Sequence, residues 1–186
     1  VSGFLGTERV TLNDNLLRRC TPEEIQAVMG HEMGHYVMNH IYKSLLFFGV
    51  LFAAGFAFLN WSVNWCLARW GSRWGIRSMT DIAVLPLAVL LLSLFSFVTT
   101  PITNSWVRGQ EYEADIFGLN ASRQPDGEAA VDLKLGDYRK LDPGRLEEIF
   151  FFDHPSGRTR ITAAMRWKKE NMIPMQPNTP SALGVH

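Results

Sequence analysis

Two stretches without a single charge constrain this chain more than anything else in it. Ser44–Ala68 and Ile82–Val107 run for 25 and 26 residues without Asp, Glu, Lys or Arg. About 20 apolar residues are enough for a helix to cross a bilayer, so each run is long enough to span. One such run could be the buried helix of a soluble core. Two in a chain of 186 residues favour a membrane hairpin. The remaining charge is balanced, 18 basic against 18 acidic residues, and nothing in it suggests a nucleic-acid surface. Cys20 and Cys66 match neither a disulfide framework nor a CxxC metal site and read as small apolar fillers.

The segment before the first run carries a clear helix start. Thr21 can cap, Pro22 suits the first helical position, and Glu24 can reach back to the Thr21 amide as a capping box. Ile25, Val28 and Met29 continue at helical spacing. Nothing breaks the pattern before Lys43, so the helix is expected to run on into the first span. Ahead of it, Glu8–Leu12 alternates as a strand would, giving a small β element at the N-terminus. The spans are expected to be joined by a connector from Asn60 to Asp81, with Trp61, Trp65, Trp70 and Trp74 as an interfacial belt. Span two is expected to end near Pro101. A separate helix then follows over Ser105–Leu119, a loop rich in Gly, Asp and Pro, and a helix over Arg158–Lys169. The Pro-bearing tail 171–186 is expected to be disordered.

On the capped helix stands GHEMGH, residues 30–35. Residues four apart share a helix face, so His31 and His35 can place two imidazoles on one ion. Glu32 is held beside that ion, where it can take a proton from an activated water and later pass it to a leaving amine. His40 is a poor third ligand, because nine positions past His31 on a straight helix is about 180° round. It is expected to make a polar contact near the membrane surface instead. The extended HExxH pattern would need Gly at 38 and His at 41, where Met38 and Ile41 stand. A carboxylate from a second helix is the other solution, and WVRGQEYEAD, residues 106–115, offers one. Glu111 and Asp115 share a face, so Glu111 can ligate while Asp115 accepts the free ring N–H of a ligand His. Glu113 points elsewhere. The helical hairpin between the two motifs returns the chain to the side it left, which favours Glu111 over an ordinary solvated turn.

These motifs resemble the CAAX prenyl protease 1-type zinc metalloendopeptidases, multi-pass membrane enzymes related to the HtpX proteases. The resemblance covers residues 1–169 and rests on GHEMGH, the two-span insertion, PITNSWVRGQEYEAD and FFDHPSGRTRI. It implies one zinc ion per chain on His31, His35 and Glu111, with Glu32 catalytic and Asp115 behind the ligands. It further implies that His154, in the His-Pro motif, helps polarise the substrate carbonyl and that Arg160 braces the acidic helix. Val107 stands where the family usually has Ser. The family's Asn-Ala segment before the first strand and its upstream spans are not in this sequence, so the chain is expected to be the C-terminal portion of a longer protein.

The fold expected is mainly α: a multi-pass membrane helical protein with a zincin-type HExxH domain. Residues 1–43 and 108–170 would form the two halves of the peptidase, divided by a two-span hairpin over 44–107. The implied substrates are peptides or membrane proteins, lipid-modified ones included, with membrane lipids as surroundings and no nucleic acid. An HtpX-like quality-control protease is the rival enzyme, and a silent membrane scaffold the rival outside catalysis. The implied location is the bacterial inner membrane or, in a eukaryote, the endoplasmic reticulum membrane, with the catalytic side cytoplasmic. Arg69, Arg73 and Arg77 on the opposite loop argue against that side, while 11 of the 18 basic residues lie from Arg108 onward and argue for it.

Overall fold

The computed structural model describes residues 6, 7, 9, 11–136 and 140–172. Seven α-helices are formed among the described residues: α1 (Asp14–Arg19), α2 (Pro22–Val37), α3 (His40–Trp74), α4 (Leu85–Ser122), α5 (Pro125–Leu135), α6 (Arg145–Phe151) and α7 (Gly157–Asn171). A short 3-10 turn, Ile82–Val84, leads into α4. The expected β element lies partly outside the described residues. Arg9 forms a single bridge, Thr11 and Leu12 have no regular structure, and no strand is formed among the described residues.

α2 starts as its sequence dictates. The Thr21 hydroxyl accepts from the Glu24 amide at 3.4 Å, and Glu24 Oε2 accepts from the Thr21 amide at 2.9 Å. Its end departs from expectation. Asn39 adopts a left-handed backbone, φ 57° and ψ 37°, which separates α2 from α3. Asn tolerates this region better than other residues with a Cβ. The motif helix therefore does not run on into the first span.

Both long helices exceed the expected spans. α3 has 35 residues and includes most of the connector expected from Asn60, ending only at Gly75 with φ 70°. α4 has 38 residues and passes through Pro101 without a break. A proline inside a helix loses one backbone bond. Around it the hydroxyls of Thr99, Thr100 and Ser105 donate to the carbonyls of Phe95, Ser96 and Pro101. At 1.5 Å per residue each helix is over about 50 Å long, well beyond a hydrocarbon core of about 30 Å. The apolar span and the acidic turn at Glu111 thus belong to one rigid rod.

α3 and α4 run antiparallel. Ser44 Oγ donates to Gln110 Oε1 at 3.0 Å, Phe47 stacks on Trp106 at 4.6 Å, and Phe58 stacks on Phe95 at 5.4 Å. Both are long and apolar enough to cross a membrane. Their outer faces leave large apolar side chains bare, Phe56 69 % exposed and Leu90 64 %. Water disfavours such continuous apolar surface and lipid does not.

The non-spanning part packs small helices on the ends of α2 and α4. Leu119, Ala164 and Trp167 are buried together, with Ile116 against them. Trp167 Nε1 donates to Asn120 Oδ1 at 2.8 Å. α5 and α6 occupy a region expected to be a loop. Pro125 looks like a breaker but stands at the start of α5, where its missing N–H costs nothing. α6 is one short piece whose Glu147 accepts from the Gly144 amide at 3.0 Å. The helix expected over Arg158–Lys169 is α7, begun by Ser156 accepting from the Thr159 amide. The tail from 173 onward lies outside the described residues.

Candidate metal centre

The centre depends on two helices touching backbone to backbone. A Cβ on Gly30 would lie 2.9 Å from Gly118 O, and one on Gly34 3.0 Å from Ala114 Cα. Small residues four apart on both helices remove the side chains that would hold the helix axes apart. With α2 and α4 this close, residues on their facing sides meet within the reach of one ion.

His31, His35 and Glu111 are brought together there. His31 Nε2 and His35 Nε2 are 3.0 Å apart. Glu111 lies 3.4 Å from each, Oε2 toward His31 and Oε1 toward His35. Donors about 2.0–2.1 Å from a tetrahedral zinc are separated by about 3.3 Å, so each of these separations suits such an ion, the two Glu111 oxygens facing one histidine each. The donor set of two imidazoles and one carboxylate also suits zinc. All three residues line a cavity of about 440 Å³ together with Glu32, Tyr36, Gln110 and His154.

The ring nitrogens turned away from the triangle have partners. His31 Nδ1 is 2.7 Å from Asp115 Oδ1, and Asp115 is only 2 % exposed. Arg160 holds Asp115 with two bonds, Nε to Oδ2 at 2.8 Å and Nη2 to Oδ1 at 2.6 Å. The same guanidinium reaches Glu128 Oε1 at 3.0 Å and Asp132 Oδ1 at 2.8 Å. Burial pulls the His31 pKa down, but the bonds to Asp115 and Glu111 outweigh it and raise it to about 9. Burial lowers that of His35, with His31 and His40 adding to the effect against Glu111. Burial would also depress Arg160, yet Asp115, Asp132 and Glu128 together hold it above its ordinary value. Burial pushes Asp132 up to about 7, since one guanidinium faces three carboxylates.

His154 comes from the loop between α6 and α7. Its Nε2 lies 3.4 Å from Glu111 Oε2, and its Nδ1 2.8 Å from Asp153 Oδ1. α4 itself positions that loop. Asn104 Nδ2 donates to Phe150 O at 2.9 Å, and Arg108 Nη1 donates to Glu148 O at 2.8 Å and to Phe152 O. Glu148 in turn accepts from the Ser156 amide at 2.9 Å. The polar residues between Pro101 and Glu111 are therefore struts that carry His154 to the cavity.

Three further residues belong to the centre that sequence reasoning missed. Glu128 and Asp132 stand four apart on α5, a spacing that marks one face and could have found them. His40 is not turned away from the centre. It is 3 % exposed, with its Nδ1 2.9 Å from His35 Nδ1 and its Nε2 3.2 Å from Glu113 Oε2. The left-handed turn at Asn39 redirects it, and only a straight helix would place it on the far side.

The chain is 37% identical over 175 residues to the uncharacterized metalloprotease YhfN of Bacillus subtilis, covering 92% of this chain and 40% of that one. It is 35% identical over 126 residues to a CAAX prenyl protease 1 homolog of Dictyostelium discoideum, 63% of this chain and 28% of that one. A protease HtpX homolog of Archaeoglobus fulgidus is 28% identical over 124 residues, 65% of this chain and 33% of that one. The chain spans less than half the length of each of these relatives. No solved structure matches. The sequence profile described as peptidase family M48 matches residues 1–168, nearly the whole of what surrounds the centre, and the chain belongs to that family.

Proposed function

We propose that this chain is the catalytic portion of a membrane-embedded zinc metalloendopeptidase. The observation that carries the proposal is the triangle of His31, His35 and Glu111, with separations of 3.0–3.4 Å, opening on a cavity that Glu32 also lines. A zinc ion held by those three residues would supply Lewis acidity, lowering the pKa of a water and polarising the scissile carbonyl. Glu32 accepts the proton of the attacking water and returns it to the leaving amine. His154 gives its Nδ1–H to Asp153, so in its doubly protonated form it donates from Nε2 to the carbonyl oxygen as negative charge builds there. Asp115, fixed by Arg160, holds His31 in the tautomer that leaves Nε2 free to ligate.

Residues 1–43 and 108–170 act as the two halves of the peptidase, and 44–107 as a membrane hairpin between them. The uncharged runs within α3 and α4 lie in the bilayer, and the overhanging end of α4 holds Glu111 just outside it. The substrates are peptides or membrane proteins that arrive along the apolar surface. A groove of about 450 Å³ between α3 and α4, lined by Phe48, Phe52, Phe56 and Phe95, suits an apolar side chain or a lipid-modified tail. The relatives' names include both CAAX prenyl protease 1 and HtpX, and the same centre would serve either kind of protease. The metal side faces the cytoplasm, with 15 of the 18 basic residues on it and only Arg69, Arg73 and Arg77 between the spans.

The test is Glu32→Ala in the full-length protein. The variant should bind zinc as the parent does and hydrolyse peptide at least ~10²-fold more slowly, the usual worth of a positioned general base. Parental activity in the variant, after contaminating protease is excluded, would refute the mechanism.

A further inference from the structure

The two imidazoles of the centre are backed differently. His31 Nδ1 meets the carboxylate of Asp115 directly. His35 Nδ1 meets another imidazole, that of His40, at 2.9 Å, and only beyond it a carboxylate, Glu113 Oε2, 3.2 Å from His40 Nε2. Lys43 Nζ is 3.4 Å from the same Glu113 oxygen. From this arrangement we infer that His40 is a positioning residue for the metal ligand His35, linking it to Glu113. The inference rests on the zinc-site reading above and assigns that site a relay on its second helix.

The proton placement follows from the contacts. For His35 to ligate through Nε2, its neutral ring must carry the proton on Nδ1. That N–H needs an acceptor, and the atom facing it is His40 Nδ1. A ring that accepts at Nδ1 must carry its own proton on Nε2, which points at the carboxylate of Glu113. Every ring nitrogen in the chain Glu113, His40, His35 then has one role, and no two donors or two acceptors face each other. A hydrogen bond of this kind behind a ligand fixes its tautomer and ring orientation. His40 is 3 % exposed, so water does not compete for its bond to His35, while Glu113 at the far end is half exposed.

The backbone is built to deliver His40. Met38 N–H still bonds to Gly34 O as in a helix, after which Asn39 turns left-handed and His40 begins α3. The first apolar helix thus starts on the ring that backs a metal ligand. α4 supplies both Glu111 to the triangle and Glu113 to the relay, from two different faces.

The experiment measures zinc affinity by chelator competition, together with kcat and KM, in the full-length protein in detergent. His40→Ala should weaken zinc 10–100-fold, the range for loss of a partner behind a ligand. His40→Gln, which keeps one acceptor and one donor, should recover at least half of that loss on a logarithmic scale. Glu113→Ala should weaken zinc less than His40→Ala, and the double variant should be no weaker than His40→Ala alone, because Glu113 acts through His40. Thermal unfolding of the zinc-free proteins identifies any variant that is misfolded, in which case His40→Gln and Glu113→Ala decide. Parental zinc affinity and kcat in His40→Ala would overturn the inference, as would additive losses in the double variant. A parent that binds no zinc, or a Glu111→Gln variant with parental affinity, would instead overturn the metal-site reading beneath it.

Discussion

Gly118 on α4 and His31 on α2 meet at the backbone: a Cβ on Gly118 would lie 2.8 Å from the His31 amide nitrogen. That contact places the turn bearing Glu111 and Asp115 against the turn bearing the two histidines. Gly118→Val should therefore push the helices apart, at a cost of about 1–3 kcal/mol for overpacking, and reduce zinc occupancy with it. Gly109→Ala is the control, since a Cβ there meets nothing within 4 Å. Metal analysis and thermal unfolding of both variants check this. Full zinc occupancy in Gly118→Val would mean that the close approach is dispensable.

Glu111 and Asp115 should separate into different grades of loss. Glu111→Gln removes a charged donor from the triangle and should abolish stoichiometric zinc. Asp115→Asn leaves the triangle and weakens the hold on His31, with an affinity loss on the order of 10-fold. Zinc titration of the two variants tests the order, and the reverse order would exchange their roles.

His154 lies 3.4 Å from Glu111 and 2.8 Å from Asp153, on a loop separate from both metal-bearing helices. His154→Ala should keep zinc bound and leave KM nearly unchanged while kcat falls roughly 10²-fold, the loss typical of one oxyanion donor. His154→Gln should recover part of it. Loss of the metal in His154→Ala would mark the residue as a ligand instead.

Asp132 ties pH to stability. Burial pushes its pKa up to about 7, against about 3.9 for an unfolded aspartate, so the folded protein holds a proton that the unfolded chain releases. The sign is then set: stability from this group is full below about pH 4 and declines as pH rises toward 7. Its Oδ2 is buried without a hydrogen-bond partner, consistent with a strained charge. Asp132→Asn removes the titration while keeping an acceptor for Arg160. Between pH 5 and 8 the difference in Tm should move in favour of the variant. A difference that is flat with pH would show that Asp132 ionises as readily folded as unfolded.

Local patterns carried much of this molecule. The spacing of His31 and His35 places them on one helix face because 3.6 residues make a turn, whatever surrounds them. The Thr21–Glu24 capping box and the helix after Ser156 are likewise short-range chemistry and form where the residues say. The apolar runs declare helices long enough to cross a bilayer, because length and lack of charge are properties of the segment alone. The hairpin between the motifs also favoured Glu111 as a ligand over an ordinary solvated turn, and the structure brings its carboxylate beside the two histidines.

The rest was decided by contacts between distant residues. Pro101 reads as a stop, but α4 continues through it at the loss of one backbone bond. Pro125 reads as loop, yet at the first position of α5 it starts a helix that brings Glu128 and Asp132 to Arg160. His40 was misplaced because one backbone angle, the positive φ at Asn39, rotates everything after it, and a helical wheel assumes that no such angle occurs. Sequence periodicity determines which residues share a face of one helix. Which faces meet, and which buried groups must then satisfy one another, depends on how closely two backbones can approach, and here Gly30, Gly34, Ala114 and Gly118 decide that.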